Sequence, residues 1–174
     1  MKLRNLELKD APLMLEWMHD ETVVEKMRGR FAEKSIKDCE SFIKNSWNKE
    51  KDIHLAIVSD EDEYMGTVSL KNIDIKNGSA EFAITVRKSA MGRDFSWWGM
   101  KEILKIAFEQ YDFEIVYWCV SRENERAIRF YNKHDFKEIT DISDEIMNRY
   151  KEMDNLKWYA VSKKSFCDYK AVWK

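Results

Sequence analysis

The chain has no surplus of either charge: 30 Lys and Arg face 32 Asp and Glu, a formal net charge of −2. That balance supplies no overall attraction to nucleic acid or to an anionic membrane, so neither is expected as a partner. No apolar run approaches the length of a membrane span, and the polar start MKLRNLELKD is unlike a secretory leader. Cys39, Cys119 and Cys167 are odd in number and far apart, which argues for a reduced, cytoplasmic protein. His19, His54 and His134 are equally scattered, and no His or Cys pair has metal-ligand spacing. No metal is therefore expected, and the histidines read as surface or structural residues. Five glycines form no Walker A loop, no dinucleotide pattern and no Gly-x-Ser-x-Gly elbow. Those absences set aside nucleotide hydrolysis, Rossmann redox chemistry and serine hydrolysis.

What remains is 174 residues, 44% apolar and 13% aromatic, enough for one domain with a real core. The informative stretch is Ala80–Tyr111. Glu81, Ala83, Thr85 and Arg87 alternate with Phe82, Ile84 and Val86, which predicts a strand. Lys88–Asp94 reads as a turn containing Gly92. Then Trp97, Met100, Ile103, Leu104, Ala107, Phe108 and Tyr111 recur at helical spacing. Strand, loop and helix in that order aim spare backbone N–H groups at an anion, because the first helical turn has unspent donors and a positive dipole end.

Around this unit the pattern predicts a first strand at Lys2–Glu7 and a helix started by Ala11 and Pro12 and running through Trp17 or Met18, capped by Asp10. A short helix at Thr22–Met27, a loop around Gly29 with Arg28 and Arg30, and a helix begun by Ser35 follow. His54–Ser59 and Tyr64–Lys71 read as hairpin strands, and Asn77–Gly78 as the turn into the Glu81 strand. Glu114–Val120 has the composition of a buried strand, Asn124–His134 of a helix, and Phe136–Thr140 and Leu156–Ser162 of strands. Asp141–Asp154 has no assignable pattern. Residues 1–162 form one domain on this reading, and 163–174 a tail whose aromatics offer surface for a homodimer.

Two segments in this order resemble the GNAT superfamily of N-acetyltransferases. VRKSAMGRDFSWW is similar to its pyrophosphate loop, Q/R-x-x-G-x-G/A, with Met91 at the Gln or Arg position, Gly92 and Arg93 in place, Asp94 at the first pattern glycine and Ser96 at the second small residue. VSRENERAIRFYNKHDFKEI resembles N-x-x-A-x-x-x-Y-x-K-x-G-F, with Asn124, Ala127, Tyr131, Lys133 and Phe136 in register and Asp135 replacing the glycine. The opening LRNLELKDAPLMLEWMHDE is similar to the branch holding ribosomal-protein N-terminal and some nucleotide-sugar acetyltransferases.

The resemblance covers about residues 2–162. It implies an α/β fold: a mixed, mostly antiparallel sheet of about six to seven strands, flanked by helices, with a splayed central strand pair. It also implies acetyl-CoA as cosubstrate and a primary amine, on a small molecule or a peptide, as acceptor. Ile84, Thr85 and Val86 would bond the pantetheine arm, and Met91, Gly92, Arg93, Asp94, Phe95 and Ser96 the pyrophosphate, with Arg87 as a further cation. Asn124 would help hold the cofactor, Tyr131 would protonate the departing thiolate, and Glu81 would take the proton of the incoming ammonium. The acceptor stays open among nucleotide amino sugars, protein N-termini, polyamines and antibiotics. A non-catalytic acyl-CoA-binding or interaction domain on the same fold is the alternative.

Overall fold

The computed structural model describes residues 1–27, 29–153 and 155–173. The expected roles of Arg28, Asp154 and Lys174 therefore lie outside the described residues. Among the described residues, a seven-stranded sheet runs in the order β1 (Lys2–Asn5), β2 (Ile53–Val58), β3 (Tyr64–Asp74), β4 (Ser79–Val86), β5 (Ile115–Ser121), β7 (Leu156–Ser162) and β6 (Glu138–Ile139). All neighbours are antiparallel except β4 and β5. The mostly antiparallel sheet flanked by helices is the fold expected from the sequence.

Alternation on the strands sorts the core into two layers. Ile53, Leu55 and Ile57 of β2, with Phe82 and Val86 of β4, join one cluster with Met100, Ile103 and Leu104 of α4 (Phe95–Lys105). Ala56 and Val58 face the other way, into a cluster with Met14 and Trp17 of α1 (Ala11–Met18), Val23 of α2 (Glu21–Val24), and Cys39 and Ile43 of α3 (Ile36–Asn45). Helix α3 starts where Ser35 and Asp38 close a reciprocal capping box, Asp38 N–H donating to Ser35 Oγ at 3.3 Å and Ser35 N–H to Asp38 Oδ2 at 2.7 Å. The sheet thus has α4 on one side and α1, α2 and α3 on the other.

Several local expectations change in three dimensions. Asp10 does not cap α1 with its side chain. It is buried, accepts the Glu7 N–H at 2.9 Å and takes a two-pronged contact from the Arg4 guanidinium at 2.7 and 2.8 Å. The strand expected to end at Lys71 runs further: β3 reaches Asp74, with a break in register after Lys71 and a positive φ of 49° at Asn72. The last turn of the central helix widens into a π-helix at Ile106–Gln110. The polar stretch contains α6 (Asp144–Asn148), begun by Ser143 accepting the Ile146 N–H. Where a tail is expected, Lys163–Val172 forms α7, with Phe166 buried and its ring 4.8 Å from that of Phe108. Among the described residues, no helix is long and apolar enough to cross a membrane.

Candidate active site

Strands β4 and β5 pair at Ser79–Ile115, Ala80–Val116 and Glu81–Tyr117, and no further. Beyond Glu81 they part, so alternate backbone N–H and C=O groups of Phe82–Val86 that turn toward β5 meet no strand there. Helix α5 (Glu125–Lys133) lies over the opening, begun by Asn124, whose side chain accepts the Ala127 N–H at 3.1 Å. This cap spends the Asn124 carbonyl on the helix and leaves its amide N–H groups for other partners.

A cavity of about 220 Å³ is lined by Ile84, Thr85 and Val86 of β4, by Met91, Gly92 and Ser96 of the loop and helix start, and by Asn124 and Tyr131 of α5. These are residues that the sequence assigns to one site from segments far apart in the chain. A second cavity, of about 310 Å³, occupies the gap between β4 and β5, and both Glu81 and Tyr131 line it. A third, of about 540 Å³, lies between the sheet and the early helices. All three share Ile84 and Thr85.

The loop before α4 has the anion-binding form. Lys88–Ala90 makes a single 3-10 turn, and Gly92 holds φ 75° with open space where a Cβ would sit. Asp94 precedes the helix at φ 60° and makes no side-chain cap, so the first N–H groups of α4 keep their donors unspent. Asp135 likewise holds φ 61°. Both aspartates therefore carry out the left-handed turn that the family pattern gives to glycine. Arg93, Asp94 and Phe95 stand outside the cavity lining. Phe95 is buried, and the Arg93 guanidinium lies over its ring at 5.4 Å. Arg87 is spent elsewhere: it is buried, holds Glu16 at 3.0 and 2.9 Å and Glu63 at 2.6 Å, and donates to the Tyr64 carbonyl at 3.0 Å. It is a structural cation pinning α1 to β3, not a cofactor ligand.

Tyr131 is buried, with its ring 5.3 Å from Trp118 and 4.9 Å from Tyr159. Burial pushes its phenol well above the ordinary tyrosine value, which keeps it protonated. Glu81 is also buried, contrary to the solvated strand residue its type suggests. Burial opposes its ionisation, but the attraction of Lys71 and hydrogen bonds from Lys71, Tyr150 and Asn72 outweigh this and hold the carboxyl below the ordinary glutamate range. Lys71 lies 2.8 Å and Asn72 Nδ2 2.9 Å from its oxygens.

Sequence reasoning missed Lys71, although hairpin register places it opposite Glu81. It also missed Arg126, whose guanidinium lines the first cavity and donates to the Thr22 and Val23 carbonyls at 3.0 and 3.2 Å, tying α5 to α2. No local pattern signals that long-range contact.

Fold and cleft together define an N-acetyltransferase. Residues 1–137 match the family model of the acetyltransferase (GNAT) domain, and the chain belongs to that family. Spermidine N-acetyltransferase from Vibrio cholerae, in a structure with CoA and spermine, is similar over 95% of this chain and 97% of its own, with a TM-score of 0.79 and 17% identity. A point variant of the Vibrio cholerae spermidine N-acetyltransferase SpeG is similar over 98% and 99%, at a TM-score of 0.75 and 21% identity. At such identities the likeness is one of fold. Among curated protein sequences none matches significantly.

Proposed function

We propose that this chain transfers an acetyl group from acetyl-CoA to a primary amine directly, with Tyr131 as the proton donor to the leaving thiolate. The observation that carries the reading is the convergence of Tyr131, the unpaired stretch of β4 and the uncapped start of α4 on one cleft. An extended arm bonds to free strand backbone, and a pyrophosphate suits N–H groups at a helix start beside a left-handed glycine. Ile84, Thr85 and Val86 then hold the arm, while Met91, Gly92, Ser96 and Asn124 hold the phosphate end. Asp94 and Phe95 contribute through backbone N–H groups, and Arg93, whose N–H donates to the Ala90 carbonyl at 3.3 Å, through the turn it helps set.

The chemistry follows from the same groups. The amine nitrogen attacks the thioester carbonyl carbon, a C–N bond forms and the C–S bond breaks. Backbone N–H groups near Ile84 and Thr85 stabilise the developing oxyanion. Tyr131 gives its phenolic proton to the sulfur and is restored by the proton that the nitrogen sheds. Burial weakens the phenol as an acid, but it raises the thiolate's demand for a proton in the same cleft. Glu81, held ionised, attracts the ammonium. It takes one proton from the ammonium, directly or through water, which frees the lone pair for attack; the second proton, shed once the C–N bond has formed, is the one that restores Tyr131.

The opening residues resemble acetyltransferases of protein N-termini and nucleotide sugars, whereas the structural neighbours act on polyamines; a primary amine is common to all. The test is turnover of acetyl-CoA over an amine panel with the wild type and Tyr131→Phe. A loss of kcat of about 100-fold with unchanged acetyl-CoA affinity supports the role. Cofactor binding without turnover of any amine would instead support the non-catalytic reading.

A further inference from the structure

The largest of the three cavities that meet at Ile84 and Thr85 has two unlike walls. The early helices supply an apolar roof: Met14, Trp17, Met18, Met27, Phe31 and Phe42. The sheet supplies a floor of hydroxyls and an imidazole, with His54 Nδ1 2.7 Å from Ser69 Oγ, and Thr67 Oγ1 2.7 Å from the Tyr64 hydroxyl. At about 540 Å³ the space is of the size that takes small molecules.

Its charges are few. Among the described residues on its walls, Asp38 is the one carboxylate, and it accepts the Ser35 N–H at 2.7 Å and Ser35 Oγ–H at 2.6 Å. The cations are Lys34 and Lys71, the latter turned to Glu81 at one end of the cavity. Burial holds His54 below the ordinary histidine range, so it adds no charge near neutrality.

From this we infer that the acceptor is a primary amine with a single positive charge on an apolar, aromatic or branched body, and that polyamines are poor substrates. The inference rests on the proposed function and names its substrate class. One ammonium reaches the end where this cavity meets, at Ile84 and Thr85, the one that Glu81 lines, while an apolar body loses water against thioethers and aromatic rings. A second or third ammonium would sit among those rings beside two lysines, desolvated, with Asp38, already bonded to Ser35, as the one carboxylate on the described walls. A cation–π contact with Trp17 or Phe31 offsets only part of that cost. The sulfur of Met18 and the tilted pair of Trp17 and Phe31, with centroids 5.4 Å apart, fit the edges of a planar ring better.

The experiment compares 2-phenylethylamine with spermidine on the full chain. Calorimetry measures the binding of each with CoA present, and steady-state kinetics their acetylation. At least tenfold tighter binding of 2-phenylethylamine, with Phe31→Ala removing most of that advantage and leaving spermidine unchanged, supports the inference. Equal binding, preference for spermidine, or no binding of either amine overturns it. Turnover judges the proposed function separately: 2-phenylethylamine bound but not acetylated, alongside no acetylation of any other amine, would sink the enzymatic reading and leave the binding preference standing. Spermidine acetylated efficiently would do the reverse.

Discussion

Lys71 Nζ lies 2.8 Å from Glu81 Oε1, across the β3–β4 hairpin and at the point where β4 leaves β5. The Glu81 side chain is 8% exposed and that of Lys71 35%, so the pair joins a buried anion to a cation with access to water. In the proposed function this is the anion against which the cleft receives a positively charged acceptor.

Glu81→Gln removes the charge and keeps the shape. It should raise KM for the amine about tenfold, which is about 1.4 kcal/mol of lost attraction, and leave acetyl-CoA affinity unchanged. The folded carboxyl lies below its ordinary value of 4.5. Its contribution to stability is therefore present above that value and lost as pH falls through the folded one. Urea unfolding of wild type and variant should differ at pH 7 and converge as the solution is acidified below about pH 4. A gap that widens on acidification would contradict the assignment.

Asp94 holds φ 60° at the start of α4, in a loop proposed to bind an anion. Glycine takes that conformation without strain and brings no like charge. Asp94→Gly should tighten acetyl-CoA binding several-fold and raise stability by about 0.5 kcal/mol. Asp94→Ala, which keeps the strain, should lower stability relative to the glycine variant by about 1 kcal/mol. Thermal unfolding with a parallel cofactor titration measures both, and weaker binding in Asp94→Gly would refute this view of the loop.

Two glycines fix close approaches of different hardness. A Cβ on Gly66 would stand 2.4 Å from the Thr85 carbonyl oxygen, whereas one on Gly99 would stand 2.5 Å from Ile57 Cδ1. A carbonyl in a paired strand cannot yield as a methyl group can. Gly66→Ala should cost about 3 kcal/mol, and it should damage turnover because it displaces Thr85, where the three cavities meet. Gly99→Ala should cost about 1 kcal/mol and spare the kinetics. Equal losses from the two would mean that the hairpin tolerates separation at Thr85.

The parts legible in the sequence are those set by local pattern. Alternation from Glu81 to Val86 assigns each side chain to its face, and the burial of Phe82 and Val86 follows it. The spacing of Asn124, Ala127 and Tyr131 sets a helix whose start and inner face lie on the cleft. The parts that were not legible depend on partners distant in the chain. Asp10 turns from capping α1 to holding Arg4, and Arg87 is claimed by Glu16 and Glu63. Tyr150, in a stretch without pattern, reaches Glu81. The C-terminal segment is helical because Phe166 finds Phe108, and the Trp173 ring packs 5.2 Å from Trp97. Its short polar-rich run gives no such warning.

Calorimetric titration of the purified chain with acetyl-CoA tests the central claim most directly, since every proposed role requires that the cleft between β4 and α5 hold this cosubstrate. One saturable site of micromolar affinity, weakened by Gly92→Val in the loop, is the result expected. Absence of binding by both the wild type and Asp94→Gly would contradict the account.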